Sequence, residues 1–190
     1  MVQKHFYIFR HGLTDYNVLG RVQGQGCDIP LNQTGREQAA KLAAELADVK
    51  LDVVFTSPLK RAYETGKIVA DNKNCALIKT ESLQECHFGI AEGKLRAEIN
   101  PEDYEKHRGV SPGFKFEGGE TQRDAAERAL MELKNIAAHT DYENIGISTH
   151  GGIMRFLLSY FWDIPTEMGI ENAKPYHFTY ENGKFDILNF

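Results

Sequence analysis

Phe6 to Phe9 is a continuous apolar run that stops at Arg10-His11-Gly12, without the alternation expected of a strand with one face in water. A strand apolar on both sides has to be covered on both faces, which is the situation of a parallel sheet held between helices. The chain repeats that arrangement. Strand-length runs at Leu51 to Phe55, Cys75 to Lys79 and Ile145 to Ser148 alternate with segments of helical period. The order predicts an α/β fold of three layers (α/β/α), a mostly parallel sheet with helices on both faces.

The helical segments carry their own signals. Thr34 to Val49 places Ala39, Leu42, Ala43 and Leu46 on one stripe, and Thr34 and Glu37 have the spacing of a capping box. Ser57-Pro58 reads as an N-cap followed by proline at the first helical position, so Arg61 is expected in the first turns of that helix. Glu120 to His139 is the longest helical pattern, with Ala125, Leu130, Leu133 and Ile136 inward. Gly151-Gly152 lets the backbone turn into a helix running through Met154 to Tyr160. Tyr176 to Tyr180 and Lys184 to Leu188 flank Glu181-Asn182-Gly183, which predicts a C-terminal hairpin. Residues 81–119, rich in glycine and charge, read as a small cap over the sheet with a short helix near Glu102 to Lys106. No repeat or linker interrupts the chain, and one domain spanning 1–190 is expected.

Composition narrows the partners. The net charge is -5 and no long basic run occurs, which argues against sequence-independent binding to nucleic acid or to an acidic membrane surface. An anionic ligand must therefore be small and met locally. Cys27, Cys75 and Cys86 are odd in number and far apart, so reduced, buried thiols are expected rather than a disulfide framework or a zinc knuckle. The apolar stretch ahead of Arg10 is too short for a signal-peptide core or a membrane span, so a cytoplasmic location is expected. Oligomeric state leaves no mark in the sequence.

In an open α/β sheet, ligands bind beyond the carboxyl ends of the strands. Arg10 and His11 stand at one such end and His150-Gly151 at another, while Arg61 lies near a helix N-terminus whose amides and dipole favour an anion. Two planar guanidinium forks suit the oxygens of a phosphoryl group, and a neutral imidazole beside them can attack phosphorus. Hydrolysis of a phosphomonoester would then run through a phosphohistidine, with a carboxyl group protonating the departing alkoxide and later taking a proton from water. No HExxH segment and no cysteine-histidine set with zinc spacing is present, so no metal is expected.

Arg10-His11-Gly12 with Thr14 and Asn17 resembles the R-H-G-x-T-x-x-N signature of the histidine phosphatase superfamily, which includes the phosphoglycerate mutases. The resemblance extends in order through Gln23-Gly24, Asp28 to Leu31, Ser57-Pro58-Leu59 with Arg61-Ala62 and Thr65, Leu83 to Gly93, Gly119-Glu120-Thr121 and His150-Gly151-Gly152. It implies His11 as the phosphorylated nucleophile, Glu85 as the proton donor, and Arg10, Arg61 and His150 as the phosphate pocket. Asn17, Gln23, Gly24 and the Gly151 amide would lie beside that pocket.

The chain departs from the family pattern in several places. Leu13 stands where many members carry a carboxylate, and three residues rather than two separate Gly24 from Asp28, which predicts a reshaped loop over the phosphate. Ala91 replaces a tryptophan common in phosphatase members, predicting a different pocket wall. Cys86 follows the acid where mutases carry arginine, and no adjacent arginine pair follows. The cap offers scattered cations at Lys106, Arg108 and Lys115 among Tyr104, Phe114 and Phe116, aromatic residues that suit packing and substrate contact equally. The expected function is a metal-independent phosphomonoesterase acting on a small phosphorylated metabolite. The alternatives are a phosphoglycerate mutase, which would need 2,3-bisphosphoglycerate, and a weakly active module that binds a phospho-ligand or phosphoprotein.

Overall fold

A computed structural model describes residues 3–107, 111, 113–162, 164 and 169–189. Its centre is a six-stranded sheet of β1 (Lys4–Arg10), β2 (Val53–Thr56), β3 (Ala76–Lys79), β4 (Asn144–Thr149), β5 (Pro175–Glu181) and β6 (Lys184–Asn189). The strand order is β3-β2-β4-β1-β5-β6. The first four are parallel, and β5 and β6 add an antiparallel edge.

Successive side chains of a strand point to opposite faces, and here they enter two separate cores. Phe6, Ile8, Val53, Phe55, Ile145 and Ile147 pack with the buried residues of α5 (Gln122–His139) and α6 (Gly151–Phe161). Phe9 and Val54 face the other way, onto α2 (Gln33–Glu45) and α3 (Lys60–Lys73). The result is the three-layer arrangement that the unbroken apolar strands required. The hairpin closes through Asn182 and Gly183, both at positive φ (51° and 84°), which matches the twist of the strands it joins.

Helix starts differ from the sequence expectations for identifiable reasons. Asn32, not Thr34, caps α2 by accepting from the Gly35 amide (2.9 Å), while Thr34 and Glu37 are exposed and form no capping box. The entry is fixed earlier because the Asn32 amide donates to Leu13 O (3.0 Å) and Gly35 packs backbone to backbone against residues 12 and 13. α2 ends at Glu45, short of Val49, and β2 begins at Val53 rather than Leu51. α3 begins at Lys60, so Ser57-Pro58 lies ahead of the helix; the Lys60 amide donates instead to Asp28 Oδ1 (2.7 Å). The reciprocal capping box belongs to α1 (Asp15–Val18), where Thr14 and Asn17 exchange backbone-to-side-chain hydrogen bonds of 3.2 and 3.1 Å. Leu130 is half-buried, against the full burial of Ala125, Leu133 and Ile136.

Among the described residues, the segment between β3 and α5 contains three short 3₁₀ turns, Glu81–Leu83, Gly89–Ala91 and Arg96–Glu98, followed by α4 (Pro101–Glu105). Cys86 is buried and burial pushes its thiol up, while Cys27 and Cys75 are only partly covered; all three are free thiols. Among the described residues, no helix is long and apolar enough to cross a membrane.

Candidate active site

β1 and β4 run side by side in register, Arg10 opposite Thr149, so His11 and His150 leave the sheet at adjacent strand ends. The His11 amide donates to Thr149 O (3.0 Å), and the two imidazoles meet edge to face with centroids 5.3 Å apart. Gly12 follows because nothing larger fits: a Cβ there would stand 2.3 Å from Gly35 O. Its amide donates to Thr65 Oγ1 (3.1 Å), whose hydroxyl donates to Arg61 O (2.8 Å). The turn that follows His11 is thereby tied to α3.

The His11 tautomer follows from its partner. His11 Nδ1 lies 2.7 Å from Gly12 O, an acceptor only, so Nδ1 carries the proton and Nε2 keeps its lone pair. Burial drives the His11 pKa well below its ordinary 6.5, and the positive charges of Arg61 and Arg10 push it the same way. The imidazole is held neutral. His150 Nε2 lies 2.8 Å from Ser57 Oγ, which itself accepts from the Leu59 amide (3.3 Å). In the tautomer in which the Ser57 hydroxyl donates to Nε2, the His150 proton sits on Nδ1. That atom is buried without a hydrogen-bond partner in the protein. Burial, then Arg61, also lowers the His150 pKa well below 6.5.

Arg10 and Arg61 complete the strand-end cluster. Arg10 Nη1 donates to Ile170 O (2.8 Å); Arg61, only 1 % exposed, donates from Nη2 to Gly24 O (2.7 Å) and from Nη1 to Cys27 O (3.1 Å). The Nε atoms of both are buried without a hydrogen-bond partner in the protein. Burial lowers the Arg10 pKa to about 10, a drop opposed by Glu85 and deepened by Arg96, Arg155 and Arg61.

Glu85 sits at the start of α6. Its Oε2 accepts from the Gly152 amide (3.0 Å) and its Oε1 from the amides of Ile153 (3.1 Å) and Cys86 (3.0 Å). A Cβ at Gly152 would lie 2.4 Å from Glu85 Oε1, so a larger residue there displaces the Glu85 carboxyl group.

These groups surround a cavity of about 150 Å³. Of the residues expected from the sequence, Arg10, His11, Asn17, Gln23, Gly24, Arg61, Glu85 and Gly151 line it. His150 stands behind His11, fully buried, and is not a lining residue. Asn17 serves the α1 capping box as well, and Gln23 Oε1 accepts from the Thr14 hydroxyl (3.1 Å), leaving its amide N–H groups as the donor end.

Two cap expectations need correction. Ala91 is buried in the apolar core and does not form the cavity wall, which is instead made by Phe88, Tyr104 and His107. Of the cap cations, Lys106 is paired with Glu102 (2.7 Å), Lys115 is exposed and neither lines the cavity, while Arg108 lies outside the described residues. Arg21, Arg96 and Arg155 line the cavity instead. Of the cap aromatics, Tyr104 reaches the cavity while Phe114 and Phe116 pack into the core.

Residues that only the fold reveals hold the two active loops together. Glu92 accepts from the amides of Gln25 (3.0 Å), Gly26 (2.8 Å) and Phe88 (2.9 Å), joining the longer loop 24–27 to the loop carrying Glu85. Gln25 adds a bond from Nε2 to Glu85 O (2.8 Å). Arg128 of α5 donates to Ser82 O (2.8 Å), Gln84 O (3.0 Å) and Glu120 Oε1 (2.7 Å), anchoring the acid's backbone from outside. Among the described residues, no three His, Cys, Asp or Glu side chains are grouped to hold a metal ion.

Comparison with known proteins bears on the same cavity. Residues 6–190 match the histidine phosphatase superfamily (branch 1). Phosphoserine phosphatase 1 of Hydrogenobacter thermophilus is 28% identical over 185 residues, covering 96% of this chain and 84% of that protein. A metal-independent phosphoserine phosphatase of Arabidopsis thaliana is 34% identical over 154 residues, 78% of this chain and 64% of that protein. The solved structure of Bacillus stearothermophilus YhfR superposes with a TM-score of 0.88 at 30% identity, covering 98% of this chain and 96% of that one. By these matches the chain belongs to branch 1 of the histidine phosphatase superfamily and is an enzyme of that phosphatase type.

Proposed function

We propose that the protein hydrolyses a small phosphomonoester without a metal ion, through a phosphohistidine on His11. The observation that carries this reading is the His11 tautomer: with Nδ1 committed to Gly12 O, Nε2 is the unprotonated nitrogen of a neutral ring near the buried Arg61 and the partly buried Arg10. Nε2 attacks phosphorus, the ester P–O bond breaks, and Glu85 gives its proton to the departing oxygen. Water then attacks the phosphohistidine, Glu85 recovers a proton from it, the P–N bond breaks and inorganic phosphate leaves. Arg10, Arg61 and the His150 Nδ1–H supply the donors for the equatorial oxygens, and fixed donors aimed at developing charge are commonly the largest catalytic term. These cations occupy the role a divalent ion plays elsewhere, and the name of the Arabidopsis relative agrees with that chemistry.

The direct test is phosphate release in the presence of a chelator from a panel that includes phosphoserine and 3-phosphoglycerate, with 2,3-bisphosphoglycerate added in parallel. Release that survives chelation is expected, together with an acid-labile, base-stable phosphoenzyme on quenching. Conversion of the 3-phosphoglycerate to its isomer without net release would replace hydrolysis by mutase activity, and phospho-ligand binding with neither reaction would make the chain a binding module. The acid is tested through the leaving group. Glu85→Gln is expected to slow alkyl phosphates by ~10² to 10⁴ and aryl phosphates far less, because a phenolate departs with little proton donation. Equal losses on both would remove Glu85 from that role.

A further inference from the structure

We propose that Gln25 is a positioning residue for the general acid: its side-chain amide fixes the main chain of Glu85 relative to the guanidinium that meets the phosphoryl group. The inference rests on the phosphomonoesterase reading above, with Glu85 as proton donor, and adds to it a residue that does not line the cavity. Gln25 is the first of the three residues between Gly24 and Asp28. On one side this loop is fastened to Arg61, whose Nη2 donates to Gly24 O (2.7 Å) and Nη1 to Cys27 O (3.1 Å). On the other, Gln25 Nε2 donates to Glu85 O (2.8 Å) and to Glu120 Oε1 (3.1 Å). The carbonyl that Arg61 holds and the side chain that holds the acid thus belong to adjacent residues.

A main-chain carbonyl only accepts, so the NH₂ end of the Gln25 amide faces Glu85 O. The second acceptor, Glu120 Oε1, is anchored in turn by Arg128 Nη2 (2.7 Å) and by the His87 amide of the acid's own loop (3.0 Å). Arg128 Nη2 approaches Glu85 O only to 3.5 Å, which leaves the Gln25 bond as the shorter of the two to that oxygen. The Glu85 carboxyl group has other partners, the amides of Gly152, Ile153 and Cys86, so Gln25 acts on the acid through its backbone and not on the reacting atom. The loop does not need this side chain for its own shape. The Gln25 and Gly26 amides donate to Glu92 (3.0 and 2.8 Å), and the Cys27 amide donates to Gln23 O (3.1 Å). Removing the side-chain donors therefore frees the acid's main chain on one side while the loop stays closed. Proton transfer to a departing oxygen is sensitive to such freedom, since a misplacement of about 1 Å can cost about 10²-fold in rate.

Gln25→Met keeps the length of the side chain and removes both donors. Its kinetics are measured on one alkyl and one aryl phosphate, beside Glu85→Gln and the double variant, and vanadate affinity reports on the phosphate end of the cavity. Gln25→Met is expected to lower kcat on the alkyl ester by about tenfold to 10²-fold. KM and vanadate affinity should stay close to those of the natural enzyme, and the aryl ester should be little affected because a phenolate leaves with little proton donation. In the Glu85→Gln background the Gln25 substitution should cost nothing further, since a residue that acts through the acid has nothing left to place. Unchanged turnover, equal losses on both esters, or a loss that persists in full beside Glu85→Gln would overturn the inference while leaving hydrolysis intact. Should Gln25→Met fail to fold, Gln25→Glu, of the same length and without a donor when ionised, is read in its place. If Glu85→Gln itself depresses both esters alike, or the natural enzyme cleaves neither, the reading of the site fails and the inference falls with it.

Discussion

His11→Ala is expected to lose phosphate release by on the order of 10⁴ or more on every ester, aryl phosphates included, because the variant has no atom to form the P–N bond. The fold should survive, since the strand-end backbone is held by the Thr149 carbonyl, by Thr65 and by the Asn172 side chain, none of which uses the imidazole. Stability should even become less acid-sensitive. In the native protein His11 and His150 are held neutral well below 6.5, whereas the unfolded chain protonates them near that value. Stabilisation from their environment is therefore fully present above pH 6.5 and is lost as the pH falls below it, by at most about 1.4 kcal/mol per pH unit for each histidine. Removing His11 removes one of the two contributions. Retention of most turnover, measured with a coupled phosphate assay beside circular dichroism, would sink the phosphohistidine route.

Arg61→Ala is expected to reduce kcat/KM by ~10² to 10⁴, on the scale of losing charged donors in a water-poor phosphoryl-transfer site. Vanadate affinity should fall with it, because the same guanidinium meets the equatorial oxygens before and during transfer. A second readout separates this from a loss of packing. Arg61 is the leading charge holding His11 neutral, so its removal should shift the acid limb of the kcat/KM profile upward, toward 6.5. Using one aryl phosphate for both proteins cancels the ester's own ionisation. An unmoved acid limb would show that Arg61 does not act on the nucleophile. Some thermal stability will be lost as well, since the side chain also holds the carbonyls of Gly24 and Cys27.

The sheet and the strand-end pairing of His11 with His150 are readable in the sequence because they follow from local facts: unbroken apolar runs and the residues that terminate them. The helix starts are less so, since a capping residue is chosen by where the chain enters. Asn32 wins over Thr34 through its tether to Leu13, a contact 19 residues back. The site divides in the same way. Arg10 and His11 adjoin a strand, whereas Glu85 can be singled out only through the family resemblance, and Ser57 reads as a cap although its hydroxyl serves His150. Arg21, Arg96 and Arg155 have no periodicity or neighbour that marks them among 22 basic residues; the turns that converge them are long-range. Glu92 is the sharpest case, a loop carboxylate whose three partners lie 67, 66 and 4 residues away.

That carboxylate has a consequence for anyone recombining these enzymes. Because one side chain satisfies amides of both loop 24–27 and the acid-bearing loop, the two segments form one grafting unit although some 60 residues separate them in the chain. A chimaera that imports residues 83–93 from a relative with a shorter first loop replaces Glu92 by a side chain not fitted to the amides of Gln25 and Gly26. The borrowed acid will then be delivered out of register with the arginine that the first loop holds. Exchanging both loops together is the transplant that preserves the geometry.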